Sequence, residues 1–189
     1  MDIAVYCSAS EEIRSHFLED AKSLGSALAS HGHSLIYGGG NIGSMGRLGL
    51  AVHQGGGRVV SVIPRFFDDQ GLTLAESDEV ILTDAMQERR RIMWEKCAGA
   101  IVLPGGLGTL EEAVEFLVLN QLALINRPLI FADVNGYWGP FFELIDHMLK
   151  EKMLTEDHSR LFHQADSGVS ALQKLESLSP SADHGGGES

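Results

Sequence analysis

The run Gly99, Ala100, Ile101, Val102, Leu103 passes straight into Pro104-Gly105-Gly106-Leu107-Gly108-Thr109, and from Leu110 apolar residues return at helical spacing (Leu110, Ala113, Val114, Leu117). Buried strand, glycine-rich turn and helix start in that order make an anion site. The glycines let backbone approach a ligand, and the free amides of the first helical turn point at it. Thr109 can add a hydroxyl, and Glu111 and Glu112 stand where the helix begins. A carboxylate repels a neighbouring phosphate, so such a glutamate makes sense if it works on another part of the phosphate-bearing molecule.

The same alternation runs along the chain. Strand-like runs fall at residues 3–7, 34–37, 58–63, 79–82, 99–103 and 128–132. Helical patterns occupy residues 11–30, the stretch from the second glycine cluster to about Gln54, a segment capped by Asp84 and running to Cys97, the stretch from Leu110, residues 137–150, and 167–178. Residues 65–78 read as a polar loop carrying the pair Phe66-Phe67. A short helix is expected from Thr155, followed by a short connection near Phe162. Strands alternating with crossover helices predict an α/β fold: a doubly wound parallel sheet with helices on both faces, in a single domain over residues 1–178. Ligands then bind outside the carboxyl ends of the strands. Residues 179–189, rich in Gly, Ser and Pro, are expected to be a disordered tail.

Charge narrows the function. A net charge of −12 disfavours nucleic acid and an anionic membrane surface, because both are held by cations. No apolar run approaches the ~20 residues of a membrane helix. The N-terminus reads as a first strand rather than a leader, so a cytoplasmic location is expected. Cys7 and Cys97 form no disulfide or metal pattern and read as small apolar residues. The histidines, His31, His33, His53 and His147 among them, lack zinc-ligand spacing; neither a metal nor a cofactor is expected.

Two further constellations carry chemistry. Gly38, Gly40 and Gly43 match G-x-G-x-x-G, but the next strand ends Val62-Ile63-Pro64 with no acid for a ribose hydroxyl. No G-K-[ST] follows either glycine loop, which excludes a P-loop. What survives is a phosphate-binding turn, with Gly39, Gly40 and Gly43 as contacts. Ser8 and Ser10, after the first strand, read as polar contacts at the same cleft. The second constellation is Met86-Gln87-Glu88-Arg89-Arg90-Arg91. On that helix Met86, Met93 and Cys97 share an apolar stripe, Arg89 and Arg90 flank it, and Arg91 points away. Guanidinium suits phosphate or carboxylate, although arginines on a solvated face also pair simply with Glu88 and Glu95. Glu112 and Glu115 are expected on the side of their helix away from Leu110, Val114 and Leu117, where a glutamate commonly only offsets the dipole.

Together these residues resemble the LOG (Lonely Guy) family of cytokinin-activating phosphoribohydrolases, often labelled "possible lysine decarboxylase". Residues 104–112 match its P-G-G-x-G-T-x-x-E, residues 86–90 resemble M-x-x-R-K, residues 37–46 resemble Y-G-G-G-x-x-G-x-M-G, and residues 7–10 resemble C-G-S-S. The likeness spans about residues 3–178, with the motifs in order and at matching spacing. It implies a Rossmann-like nucleotide-binding catalytic domain, active as a homodimer, that hydrolyses the N-glycosidic bond of a nucleoside 5′-monophosphate to free base and ribose 5-phosphate. By motif position the catalytic pair falls on Arg89 and Glu112. Nucleotide contacts fall on Met86, Arg90 and the loop Gly105, Gly106, Leu107, Gly108, Thr109, Leu110, Glu111. The sequence departs from the family at Arg90 (Lys in the family), at Ser8 (Gly), at Val118-Leu119 (Thr-Trp in plant members) and through residues 65–78. Members of this fold also include non-catalytic nucleotide or molybdenum-cofactor carriers, the alternative reading. The decarboxylase label would need a pyridoxal lysine in a pocket, and the five lysines fall on polar helix faces or ends.

Overall fold

The structure is a computed structural model that describes residues 1–155 and 161–179. The short helix expected from Thr155 and nearly all of the expected tail lie outside the described residues.

Among the described residues, seven strands form one all-parallel sheet: β1 (Asp2–Tyr6), β2 (Ser34–Tyr37), β3 (Val59–Pro64), β4 (Glu79–Thr83), β5 (Gly99–Val102), β6 (Leu129–Ala132) and β7 (His163–Ala165). Their spatial order is β4-β3-β2-β1-β5-β6-β7. The helices are α1 (Ser15–Ser30), α2 (Gly43–Gln54), α3 (Arg65–Asp68), α4 (Met86–Lys96), α5 (Leu107–Gln121), α6 (Gly139–Lys150) and α7 (Gly168–Leu178). Strand order reverses at β1, where Val5 lies opposite Tyr37 on one side and Ile101 on the other. The loops leaving β1 and β5 therefore diverge and open a crevice at the carboxyl edge.

Period-two alternation assigns the two faces of the sheet. Ile3 and Val5 point to a layer made by Leu24 and Leu28 of α1, Leu48 and Val52 of α2, and Leu172 and Leu175 of α7. Ala4 and Tyr6 point the other way, to Met93 of α4, Phe116 of α5 and Trp138 before α6. Central strands are buried on both sides, so β3 reads VVSVIP with every residue buried. Phe131 of β6 anchors the second layer, its ring edge-on to Trp138 at 5.3 Å and stacked on Phe141 at 5.2 Å. Such ring pairs add about 0.5–1.5 kcal/mol each beyond their area.

Local expectations need four corrections. The first helix starts at Ser15 rather than at residue 11. Asp84 does not cap α4: the N-cap is Ala85, without a side-chain cap, and the Asp84 carboxylate instead accepts from Arg65 Nε at 3.0 Å. Residues 65–68, expected in a loop, form the single turn α3 on the end of β3. The connection near Phe162 continues into β7, which pairs with β6 through Ile130 and His163. Three residues of weak pattern become a strand because an edge ladder was available to them.

Candidate active site

At the carboxyl edge a cleft of about 290 Å³ opens between the loops that follow β1, β2 and β5. Cys7, Ser8 and Ala9 line it from β1, and Gly38, Gly40, Ile42 and Met45 from the loop after β2 and the start of α2. Gly106, Gly108, Thr109 and Glu112 line it from α5 and the turn before it. Arg89 enters from α4, and Ile63, Phe67 and Leu72 form an apolar wall.

Its centre is an ion pair. Arg89 Nη1 donates to Glu112 Oε1 at 2.8 Å, and Arg89 Nε donates to the Val62 carbonyl at 3.0 Å. The two side chains are only 7% and 4% exposed. Gly38 makes room for the guanidinium, since a Cβ there would stand 2.0 Å from Arg89 Nη2. Taking two charges out of water costs several kcal/mol per ion, so the pair survives through its mutual hydrogen bonds. Burial raises the Glu112 carboxyl above the usual carboxylate range, with Arg89 opposing the rise. Perturbed groups of this kind concentrate at functional sites. Burial also pushes up the Cys7 thiol, keeping it protonated and poorly nucleophilic although it faces the cleft.

The α5 terminus is the anion-receptive part. Its N-cap, Gly106, carries no side-chain cap, and the first backbone bond is Leu110 N–H to the Gly106 carbonyl at 3.0 Å. The amides of Leu107, Gly108 and Thr109 precede that bond and are orphan donors of the kind a helix N-terminus offers to anions. Gly105 permits the turn, because a Cβ there would meet Thr109 Oγ1 at 2.1 Å. Tyr137 Oη donates to the Gly105 carbonyl at 2.6 Å and braces it. On the other side Met45 N–H donates to the Ser8 carbonyl at 3.1 Å, tying the α2 start to the loop after β1.

Of the residues expected at the site, Arg89, Glu112, Ser8, Gly40, Gly106, Gly108 and Thr109 converge on the cleft wall. The remaining residues lie off that wall. Gly39 sits behind it, its carbonyl accepting from Leu74 N–H at 2.9 Å. Gly43 backs onto the Ala9–Ser10 backbone. Gly105 lies beneath Thr109, Leu107 is 86% exposed, and Leu110 packs on the second core layer. Met86 is half-buried in the first turn of α4. Arg90 turns to α5, with Nη1 2.9 Å from Glu111 Oε1 and Nε donating to Glu115 Oε2 at 2.5 Å. Arg91 is exposed and pairs with Glu95, as its position on the solvated face suggested.

One expectation is overturned. Glu112 does not lie away from the packed side of α5; it belongs to it. The buried residues of α5 are Thr109, Glu112, Ala113, Phe116 and Leu117, while Val114 is 40% exposed. Two polar residues complete the inward stripe at i, i+3, i+4, i+7, i+8, so apolarity alone rotated the helix wrongly. Ile42, Met45, Ile63, Phe67 and Leu72 of the wall were not anticipated. Phe67 left a signal as half of an aromatic pair in a polar stretch, and Met45 as the methionine of the motif at residues 37–46.

An all-parallel, doubly wound sheet with a crevice at its switch point defines a Rossmann-like α/β protein. This one carries a buried arginine–carboxylate pair beside an open helix N-terminus. The family profile described as "Possible lysine decarboxylase" matches residues 45–175. The cytokinin riboside 5′-monophosphate phosphoribohydrolase LOG of Oryza sativa subsp. japonica is 35% identical over 178 residues, covering 94% of this chain and 74% of that one. LOG5 of Arabidopsis thaliana, of the same description, is 34% identical over 94% of this chain and 78% of its own. The chain belongs to this LOG family. Two solved structures share its fold. The molybdenum cofactor carrier protein of Chlamydomonas reinhardtii has TM-score 0.70 at 21% identity, over 94% of this chain and 97% of that one. The molybdenum cofactor binding protein of Rippkaea orientalis has TM-score 0.69 at 22% identity, over 94% and 96%.

Proposed function

We propose that the protein hydrolyses the N-glycosidic bond of a nucleoside 5′-monophosphate, AMP or a cytokinin riboside 5′-monophosphate, to free base and ribose 5-phosphate. The observation that carries this reading is the buried Arg89–Glu112 pair facing the same cleft as the open α5 terminus. The plant relatives are named for this chemistry. The 5′-phosphate sits at the amides of residues 107–109 with the Thr109 hydroxyl, and its binding energy positions the sugar. Breaking the C–N bond leaves oxocarbenium-like charge on the ribose. Glu112 stabilises that charge and orients the attacking water. The water's hydroxyl joins the anomeric carbon, and its remaining proton ends on the departing base. Arg89 favours the ionised form of Glu112 against a burial that favours the neutral acid. Ile63, Phe67 and Leu72 offer the base an apolar seat.

The decarboxylase description finds no support in the cleft. Lys22, Lys96, Lys150, Lys152 and Lys174 are all exposed and none lines it, so no amine is placed to form a Schiff base there. The proposed assembly is a homodimer joined through α5, which exposes Val114 and Val118 along its outer face, with Leu122 exposed at its C-cap.

The test is Glu112→Gln assayed by chromatography of AMP and a prenylated riboside monophosphate. Nucleotide binding is expected to persist while base release falls by about 10²–10³-fold. Undiminished release by the variant, or intact nucleotide returned by the wild type as a carrier would return it, overturns the reading.

A further inference from the structure

At the opposite edge of the sheet, where the strands begin, side chains from distant parts of the sequence converge. His31 follows α1 directly and His33 directly precedes β2. Gly32 between them has φ +70°, a conformation that turns the chain sharply and favours glycine. Both imidazoles face α7. Glu176 Oε1 lies 2.8 Å from His31 Nδ1 and 2.8 Å from His33 Nε2. One ligand atom from each of the three residues falls within 4.8 Å of the others. The other nitrogen of His33, Nδ1, faces the Met1 amino group at 3.1 Å, which leaves Nε2 as the nitrogen turned toward the cluster.

We propose that His31, His33 and Glu176 bind a borderline divalent transition-metal ion, of the zinc(II) class, that fastens α7 to the turn between α1 and β2. Two imidazoles and one carboxylate suit such an ion, and a tetrahedral centre takes water as its fourth ligand. With metal–ligand bonds of about 2.0–2.2 Å, ligand atoms around a tetrahedral ion stand roughly 3.3 Å apart, so each histidine–carboxylate distance of 2.8 Å must lengthen by about half an ångström while the three ligand atoms, all within 4.8 Å of one another, draw around the ion. Access is one-sided, as a solvated metal needs: the His33 side chain is 10% exposed, Glu176 29% and His31 42%. Because Glu176 is 143 residues from His33, the unfolded chain presents no such site, and ion binding stabilises the fold.

The experiment uses full-length, tag-free protein stripped with a chelator, then titrated with zinc(II) alone by calorimetry and with cobalt(II) by visible absorption. One saturable ion per chain is expected, with a tetrahedral cobalt band that zinc displaces and a melting temperature that rises with zinc. His31→Asn, His33→Asn and Glu176→Gln should each lose the isotherm and the zinc-dependent rise. His31→Asn changes the most exposed ligand and keeps the test open should another variant fold poorly. Zinc binding that persists unchanged in His31→Asn, or a wild-type titration without a saturable site, overturns the proposal.

Discussion

At the scale of single residues, the proposed chemistry depends on an acid that burial favours as neutral and an arginine that favours it charged. If Glu112 must be ionised, activity is complete above its pKa in the folded protein and is lost as pH falls through that value. Burial raises that pKa, so the acid limb of the kcat/KM profile should lie above the ordinary glutamate value of 4.5. A limb at or below 4.5 would remove Glu112 from the role. Gly38 is a second residue-scale control. Gly38→Ala inserts a methyl group 2.0 Å from Arg89 Nη2 and must displace the guanidinium. Turnover should fall by about 10²-fold, the effect of misplacing a catalytic group by roughly 1 Å, and the melting temperature should fall as well, because the buried pair with Glu112 is disturbed. Wild-type turnover in that variant would mean that the position of Arg89 is not critical.

At the scale of elements, α5 does two jobs with two faces. Its inner stripe packs Ala113, Phe116 and Leu117 on the sheet and carries Thr109 and Glu112 to the cleft. Its outer stripe leaves Val114 40% and Val118 43% exposed, and Leu122 at its C-cap is 60% exposed. An apolar stripe on a helix in the middle of the chain favours a second copy of the same surface. Light scattering should give a dimer for the wild type and a monomer for Val118→Glu; a wild-type monomer would reject the α5 interface. The same helix shows where sequence reading stops. Strand, glycine turn and helix start were all legible in residues 99–110, because glycine punctuation and apolar runs are local signals. Which way the helix faced was not, since its buried stripe contains a threonine and a glutamate. The pairing of Glu112 with Arg89 across the sheet edge explains the burial of the glutamate, and Thr109 is buried against Gly105.

At the scale of the whole molecule, alternation of strand and crossover helix determined the parallel doubly wound sheet, with ligand loops at one edge. Right-handed crossovers and two-sided burial leave few other ways to pack that pattern. Motif order likewise carried family membership. The tertiary structure alone decided which residues of those motifs meet. It drew Arg89 under Gly38 to Glu112 while turning the adjacent Arg90 outward to Glu111 and Glu115. It also closed the cleft with Ile63, Phe67 and Leu72, and gathered His31 and His33 around Glu176. The physical reason is range: periodicity and glycine conformation act within a few residues, whereas desolvation, ion pairing and shared ligands act between residues that only the packed sheet makes neighbours.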